Sequence, residues 1–554
     1  MNKSLLLLCL ITFSGAFAQT PATQQEIATM VASESVFVHI NANALVPGES
    51  LYYKMYCRSS MQNAVSSKVG YVELVGRDHK TVFSHKLFLN DGIAYGDFFV
   101  TPSIPTGNYK LIGYTNAILN NPERIFAIDI TIVNPFQVSG EVSSNTNVAA
   151  VPTVKAPTKS YELLGNKKAF ATREKISLNL ASLLQQYPNG QFSASVRKNN
   201  RLAPLPVMSA AQYVQTNTNF ETAVKPITIL PEWRGEIVSG RIAGAQAKLP
   251  VALSVPGKSF AFKVANTDTS GNYTFTVNNP HYQNDVFVQV INGENGQYEV
   301  QPGQRPLPDY ANFDFQNYFP GRELEEAIRE QSIAAQIQNS YYIHNADTLA
   351  ATPRLKSFYE PGAKRFVLND YTRFPTFAET IVEVIEGAYY QQKDGQYSLH
   401  VRDNNLGRTI PEPTLVLVDG LMVQNPNDLF KYPAAGIEQI STHSGIYLYG
   451  PTAFNGVISV VTKNQDFISS DKTIVRQNIQ RPVPVKKYFR KNHDDSELDL
   501  KIPDYRYQLL WMPEINENEL TFYASDVNGS YEITIEGFTA NGMPVSIRDS
   551  FEVK

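Results

Sequence analysis

Cysteine and tryptophan are nearly absent from this chain: its 554 residues include 2 Cys and 2 Trp, with only 8 Met. Cys9 falls in an apolar run from Leu5 to Phe13, which follows Lys3 and precedes Ala16-Phe17-Ala18. A positive residue, a short apolar core and a small-x-small site read as a secretory signal over residues 1–18. Too little apolar sequence precedes Cys9 for a lipid-attachment cysteine. Cleavage after Ala18 leaves Cys57 alone, which excludes an intramolecular disulfide. The leader's run is too short to span a bilayer, and no later stretch nears the ~20 apolar residues of a membrane helix. The mature chain therefore reads as exported, soluble or peripheral, with no transmembrane segment. An excess of positive charge is missing too. With 48 Lys and Arg against 52 Asp and Glu, the net charge of −4 gives no electrostatic case for nucleic acid.

Catalytic and metal-binding patterns are equally scarce. The histidines, His39, His79, His85, His281, His344, His400, His443 and His493, are scattered, and none makes His-Glu-x-x-His or another metal spacing. The sequence has no Cys-x-x-Cys, no phosphate-binding glycine loop and no Gly-x-Ser-x-Gly elbow. His79 and His85, near a turn and a strand, are assigned to the surface. Cys57 has no base partner in the sequence and reads as a structural thiol. Asp526-Val-Asn-Gly529 opens like a calcium loop, but such a loop needs further spaced oxygen ligands, and here a strand follows at once, so a plain turn is expected. No catalytic, cofactor-binding or metal residue is assigned, no cofactor is implied, and the chain reads as not an enzyme.

Aromatic residues are abundant, with 30 Tyr and 30 Phe, which favours strands. The length exceeds what one core supports and implies several domains. Residues 35–136 alternate short strands (Val36–Ile40, Leu51–Tyr56, Lys68–Leu74, Ala94–Val100, Gly107–Thr115) with turns such as Val46-Pro-Gly-Glu49, the spacing of a β-sandwich. Residues 137–160 have linker composition. A second sandwich module is assigned to 161–224, a third to 230–305 and a C-terminal β module to 500–554. A turn feeding a strand recurs in Thr106–Ile112, Thr267–Val277 and Ser525–Ile535. Convergent hairpin chemistry or a chain of modules would give this pattern, and the strand-rich settings favour modules.

Helix formers from Arg322 to Gln338 predict a helical connector over 320–342. Its face of Leu324, Ala327, Ile328, Ala334 and Ala335 would pack between domains, while Ile333 and Ile337 fall off that face. Thr376-Phe-Ala-Glu379 is a capping box opening a short helix to Val384. That helix belongs to a block over 358–467 that mixes strands and helix, an α/β pattern. Its strands are read as Tyr397–Arg402, Leu415–Val418, Ile437–Thr442 and Val457–Thr462. Asp419-Gly420 is read as a hairpin turn, and Tyr449–Gly456 as a bend. The fold class is mainly β, with several immunoglobulin-like β-sandwich modules plus one small α/β domain.

Three resemblances follow from these residues. Val46-Pro-Gly-Glu-Ser-Leu-Tyr-Tyr-Lys54, Gly96-Asp-Phe-Phe99, Pro105-Thr-Gly-Asn-Tyr-Lys110 and Ile132-Val-Asn-Pro-Phe136 resemble a macroglobulin-like domain of exported bacterial proteins. Thioester members of that family carry Cys-Gly-Glu-Gln. Here Cys57 is followed by Arg58-Ser59-Ser60, which excludes covalent trapping by that route. Ile237-Val-Ser-Gly-Arg241 with Thr269-Ser-Gly-Asn-Tyr-Thr-Phe275 is similar to a carboxypeptidase regulatory-like sandwich. Leu415-Val-Leu-Val-Asp-Gly-Leu-Met-Val423, Gly436-Ile-Glu-Gln-Ile440 and Tyr449-Gly-Pro-Thr-Ala-Phe-Asn-Gly-Val-Ile-Ser-Val-Val-Thr-Lys463 resemble the plug domain of TonB-dependent outer-membrane receptors.

The stretch after Lys463 is far too short for a receptor barrel of about 22 strands, and Gln19–Gln25 shows no TonB-box pattern. The plug resemblance thus implies a plug-like fold and an outer-membrane setting rather than uptake by this chain alone. The expectation is a non-enzymatic exported adaptor, on the periplasmic face or the cell surface, that docks an outer-membrane protein partner, for instance a barrel. The alternative is a surface protein binding a glycan or peptide beside an uptake system. Lys486, Lys487, Arg490 and Lys491, followed by Asp494, Asp495 and Glu497, are read as a solvated segment or a docking patch.

Overall fold

The computed structural model describes residues 23–554 apart from 61–66, 138–160, 200, 204–206, 218–224, 246–247, 258–259, 279–280, 282, 295, 319, 343–345, 351–355, 403–411 and 495–500. The secretory leader, nearly all of the 137–160 linker, His344, Asp495 and Glu497 thus lie outside the described residues. The described residues are mainly β and form three two-sheet sandwiches and one α/β unit.

In the first sandwich, a sheet of Glu34–Ile40, Ser50–Ser59 and Ile93–Phe99 faces a five-stranded sheet. The latter runs Ala44–Leu45, Phe126–Ile132, Gly107–Tyr114, Val69–Gly76, Thr81–Phe88. Inward residues such as Val36, Leu51, Val72, Leu111 and Ile130 fill the space between the sheets, as the two-residue period of strands requires. A helix, Gln24–Ser33, precedes it, closed by a capping box between Thr23 and Glu26.

The modules expected at 161–224 and 500–554 are one sandwich, which corrects their assignment as two. Gln191–Lys198 lies between Gln508–Met512 and Gly529–Phe538 in a single sheet, and Lys175–Asn179 pairs with Glu519–Tyr523 to make the other. The physical reason is strand supply. The earlier segment has too few strands to bury an apolar face alone, and its Ile176, Leu178 and Val196 share one core with Leu520, Ile533 and Ile535. A short helix from the same segment, Ala210–Asn217, instead turns Ala210 and Tyr213 into the core of the first sandwich.

The third sandwich is likewise completed from a distance. Val475–Asn478 adds to the edge strand Asp285–Val290, after the whole α/β unit has intervened. The 267–272 turn forms as read: Asp268 accepts from the Ser270 and Asn272 amides, and Gly271 has φ +81°. The connector helix spans Glu325–Ser340 after a 3-10 turn. Its Ala327 and Ala335 pack on Ala44, Val46 and Val133 of the first sandwich, and Ile333 stays exposed.

The junctions between sandwiches are polar and buried. Lys86 Nζ lies 2.5 Å from Glu236, which also meets His281 Nε2 at 2.9 Å. His85, assigned to the surface, instead packs beside Phe83 and meets Tyr53 Oη at 2.7 Å, and burial lowers its pKa to about 4. His79 is exposed in its turn, as read. Lys486 is not simply solvated: it pairs with Asp97 at 2.9 Å.

Candidate functional site in the α/β unit

The unit is a five-stranded sheet ordered Lys364–Val367, Ile437–Tyr449, Thr452–Thr462, Leu415–Val418, Leu421–Met422. Leu415–Val418 runs parallel to Val457–Val460 and is buried throughout, the pattern of a strand covered on both faces. One face is covered by the helix Phe377–Glu383, opened by the Thr376–Glu379 capping box, by a second helix Asn427–Lys431, and by the hairpin Ala388–Lys393/Gln396–Val401. The other face packs on the third sandwich, where Leu415, Leu417 and Phe454 meet Ala252 and Phe262.

Asp419-Gly420 is the two-residue turn of the Leu415–Met422 hairpin, with Val418 opposite Leu421. Both residues have positive φ, +50° and +88°, as a type I′ turn demands. The Asp419 carboxylate accepts from Thr462 N at 2.8 Å and Thr462 Oγ1 at 2.6 Å. Burial pushes its pKa up, against these hydrogen bonds. It ties the turn to the end of the neighbouring strand.

Sequence reading ended one strand at Thr442 and began the next at Val457. The structure instead extends both, to Tyr449 and back to Thr452, so that only Gly450-Pro451 turns. The Ser444-Gly445 pair is absorbed by a register shift between His443 and Ile446, with Gly445 at φ +93°. An added residue with a left-handed glycine is a β-bulge, which bends a strand without ending it. The result is an arm. On one face Tyr447 and Tyr449 pack on Phe358, and the Tyr449 hydroxyl donates to the Phe262 carbonyl at 2.5 Å. On the other, Ile446 and Leu448 are 51% and 76% exposed.

The arm's outer edge is open as well. Lys364–Val367 pairs with only Gln439–Thr442, and among the described residues no strand pairs with that edge beyond Thr442. No Asp, Glu, Lys or Arg occurs between Glu438 and Lys463. Charges are the usual guard on a free edge. Here only the bulge and Pro451 serve that purpose.

The chemically suggestive side chains elsewhere are engaged in structure. Cys57 is buried, and burial with the nearby Glu34 raises its pKa well above the ordinary thiol range. His39 Nδ1 lies 2.7 Å from Ser193 Oγ, a pairing the sequence did not reveal, but both are buried and the hydroxyl also meets Tyr56 and the Glu536 carbonyl. Asp526 forms a two-pronged pair with Arg173 and accepts from the Asp504 amide. Among the described residues no group of three or more His, Cys, Asp or Glu is placed to hold a metal ion. No helix among them is long and apolar enough to cross a membrane.

No known family matches the chain, and no curated protein does. Among solved structures it is similar to the Escherichia coli alpha-2-macroglobulin activated by porcine elastase, at 11% identity and TM-score 0.23, covering 94% of this chain and 44% of that one. The Salmonella alpha-2-macroglobulin reacted with methylamine gives 9% identity and TM-score 0.16 over 94% of this chain and 23% of that one. The Yersinia pseudotuberculosis adhesin InvE gives 9% and 0.14 over 18% and 32%. The chain thus spans less than half the length of these structures, and at such scores the likeness assigns no function.

Proposed function

We propose that this chain is a non-enzymatic exported adaptor of the outer membrane, docking a protein partner through the arm of its α/β unit. One observation carries the reading: a long strand whose outer edge is open, uncharged and flanked by exposed Ile446 and Leu448. An unpaired edge offers main-chain donors and acceptors, and exposed apolar side chains beside it add specificity; this is recognition by strand addition. The resemblance of the unit to receptor plugs supports the outer-membrane setting and a barrel as the partner. Outside the arm, both faces of the unit's sheet are already covered, one by the chain's own third sandwich. A partner therefore engages the arm rather than enclosing the unit.

A photo-crosslinking residue at the exposed Ser444 of the arm, in cells, is expected to capture one outer-membrane protein. The pair Ile446→Asp and Leu448→Asp should abolish that product while leaving stability within about 0.5 kcal/mol, as for most surface changes. Recovery of the unaltered protein as a monomer with no membrane partner would sink the proposal.

A further inference from the structure

A cavity of about 1130 Å³ lies between the first sandwich, the connector helix and the split sandwich. It exceeds the usual size of a site for a drug-sized ligand. Four aromatic rings stand in it partly uncovered: Phe99, Phe136, Tyr342 and Tyr505, at 44%, 54%, 59% and 37% exposure. They come from four separate segments, so the fold, not local sequence, brings them together.

The charges of the lining balance, and most are already used. Arg197, Lys486 and Arg506 stand against Glu49, Asp97 and Asp347. Arg197 meets Glu49 at 2.6 Å, Lys486 meets Asp97 at 2.9 Å, and Arg506 pairs with Asp504 at 2.6 Å. Asp347 accepts from the Phe489 amide at 2.8 Å, and burial raises its pKa. An anionic ligand would have to break one of these pairs, at the cost of leaving a charge unpartnered, and Asp347 alone is left to meet a cation.

Strand addition on the split-sandwich side has to compete with the chain's own side chains. Gln508–Met512 is an edge strand there, but the Leu509 carbonyl accepts from Arg506 at 3.1 Å and the Leu510 carbonyl from Gln508 at 2.6 Å. Those two acceptors are already engaged within the chain. Two wall donors, Trp511 Nε1 and Arg197 Nε, have no acceptor, and such unmade bonds cost about 1–3 kcal/mol each.

We infer that the cavity binds a neutral oligosaccharide. A pyranose ring presents an apolar C–H face that stacks on an aromatic ring, and its hydroxyls both donate and accept. That chemistry matches dispersed aromatic platforms, amides such as Gln338 on the connector helix, and a wall whose cations are all paired. The inference is independent of docking through the arm.

The test is calorimetric titration of the full mature chain with maltohexaose, cellohexaose and chitohexaose, beside a polygalacturonate oligomer and a Lys-rich peptide. One neutral hexamer should bind saturably. Phe136→Ala with Tyr342→Ala should weaken it about tenfold or more, the loss of roughly 1.4 kcal/mol or more, with an unchanged melting curve. In a Trp233→Phe background Trp511 is the sole tryptophan, and its emission should shift on saturation with the same hexamer. No saturable binding of any neutral hexamer, binding that the double variant leaves intact, or binding of the charged probes alone would overturn the inference.

Discussion

At the residue scale, buried ionisable groups dominate the junctions, and Glu232 is the most telling. Its carboxylate accepts from Ile237 N at 3.0 Å and Tyr71 Oη at 3.1 Å, linking the third sandwich to the first. Burial, with the neighbouring Glu236, raises its pKa from 4.5 to about 7 despite these bonds and the nearby Lys86. The folded state therefore holds this proton more tightly than the unfolded chain. The stabilisation is complete below pH 4.5 and is lost as pH rises through about 7. Glu232→Gln removes that dependence. Urea denaturation should show the variant gaining on the wild type between pH 5 and 8, by up to about 3 kcal/mol. A constant difference across that range would refute the assignment. Asp419 acts differently, as an acceptor fixed by a left-handed backbone. Asp419→Ala should cost about 1–3 kcal/mol by stranding the Thr462 amide. Asp419→Asn, which keeps an acceptor and tolerates positive φ, should cost less than 1 kcal/mol. Equal losses in both variants would count against the hydrogen-bond role.

At the element scale, what could be read in the sequence depended on whether the signal was local. The Asp419-Gly420 turn and the Thr376–Glu379 capping box were legible because a few adjacent residues determine each. The connector helix was legible from its helix formers, and its Ala327 and Ala335 face packs as expected. The arm was not legible. Ser444-Gly445 carries the composition of a turn, and only pairing with Asn455 and its neighbours converts it into a bulge. The docking edge therefore depends on a hairpin register that no short window contains. The aromatic cavity was hidden for a related reason, since Phe136, Tyr342 and Tyr505 are far apart in sequence.

At the scale of the whole molecule, the chain runs outward and then returns. The first part of the split sandwich is laid down by 161–198, the third sandwich and the α/β unit follow, and Val475–Asn478 and then 508–553 come back to complete what was left open. Composition divided the chain at its linkers and so assigned two modules where one core exists. A nested sandwich ties its stability to the segments it encloses, because among the described residues Gln191–Lys198 has strand partners only near the C-terminus. A chain ending at residue 499 should thus lose amide protection over Lys175–Asn179 and Gln191–Lys198, while Val69–Gly76 and Gly107–Tyr114 of the first sandwich, paired with each other, stay protected. Hydrogen exchange reads both outcomes in one experiment. Retained protection at 191–198 would mean that the two segments fold apart. Its loss would show that the walls of the cavity, drawn from both ends of the chain, assemble only when the chain has closed on itself.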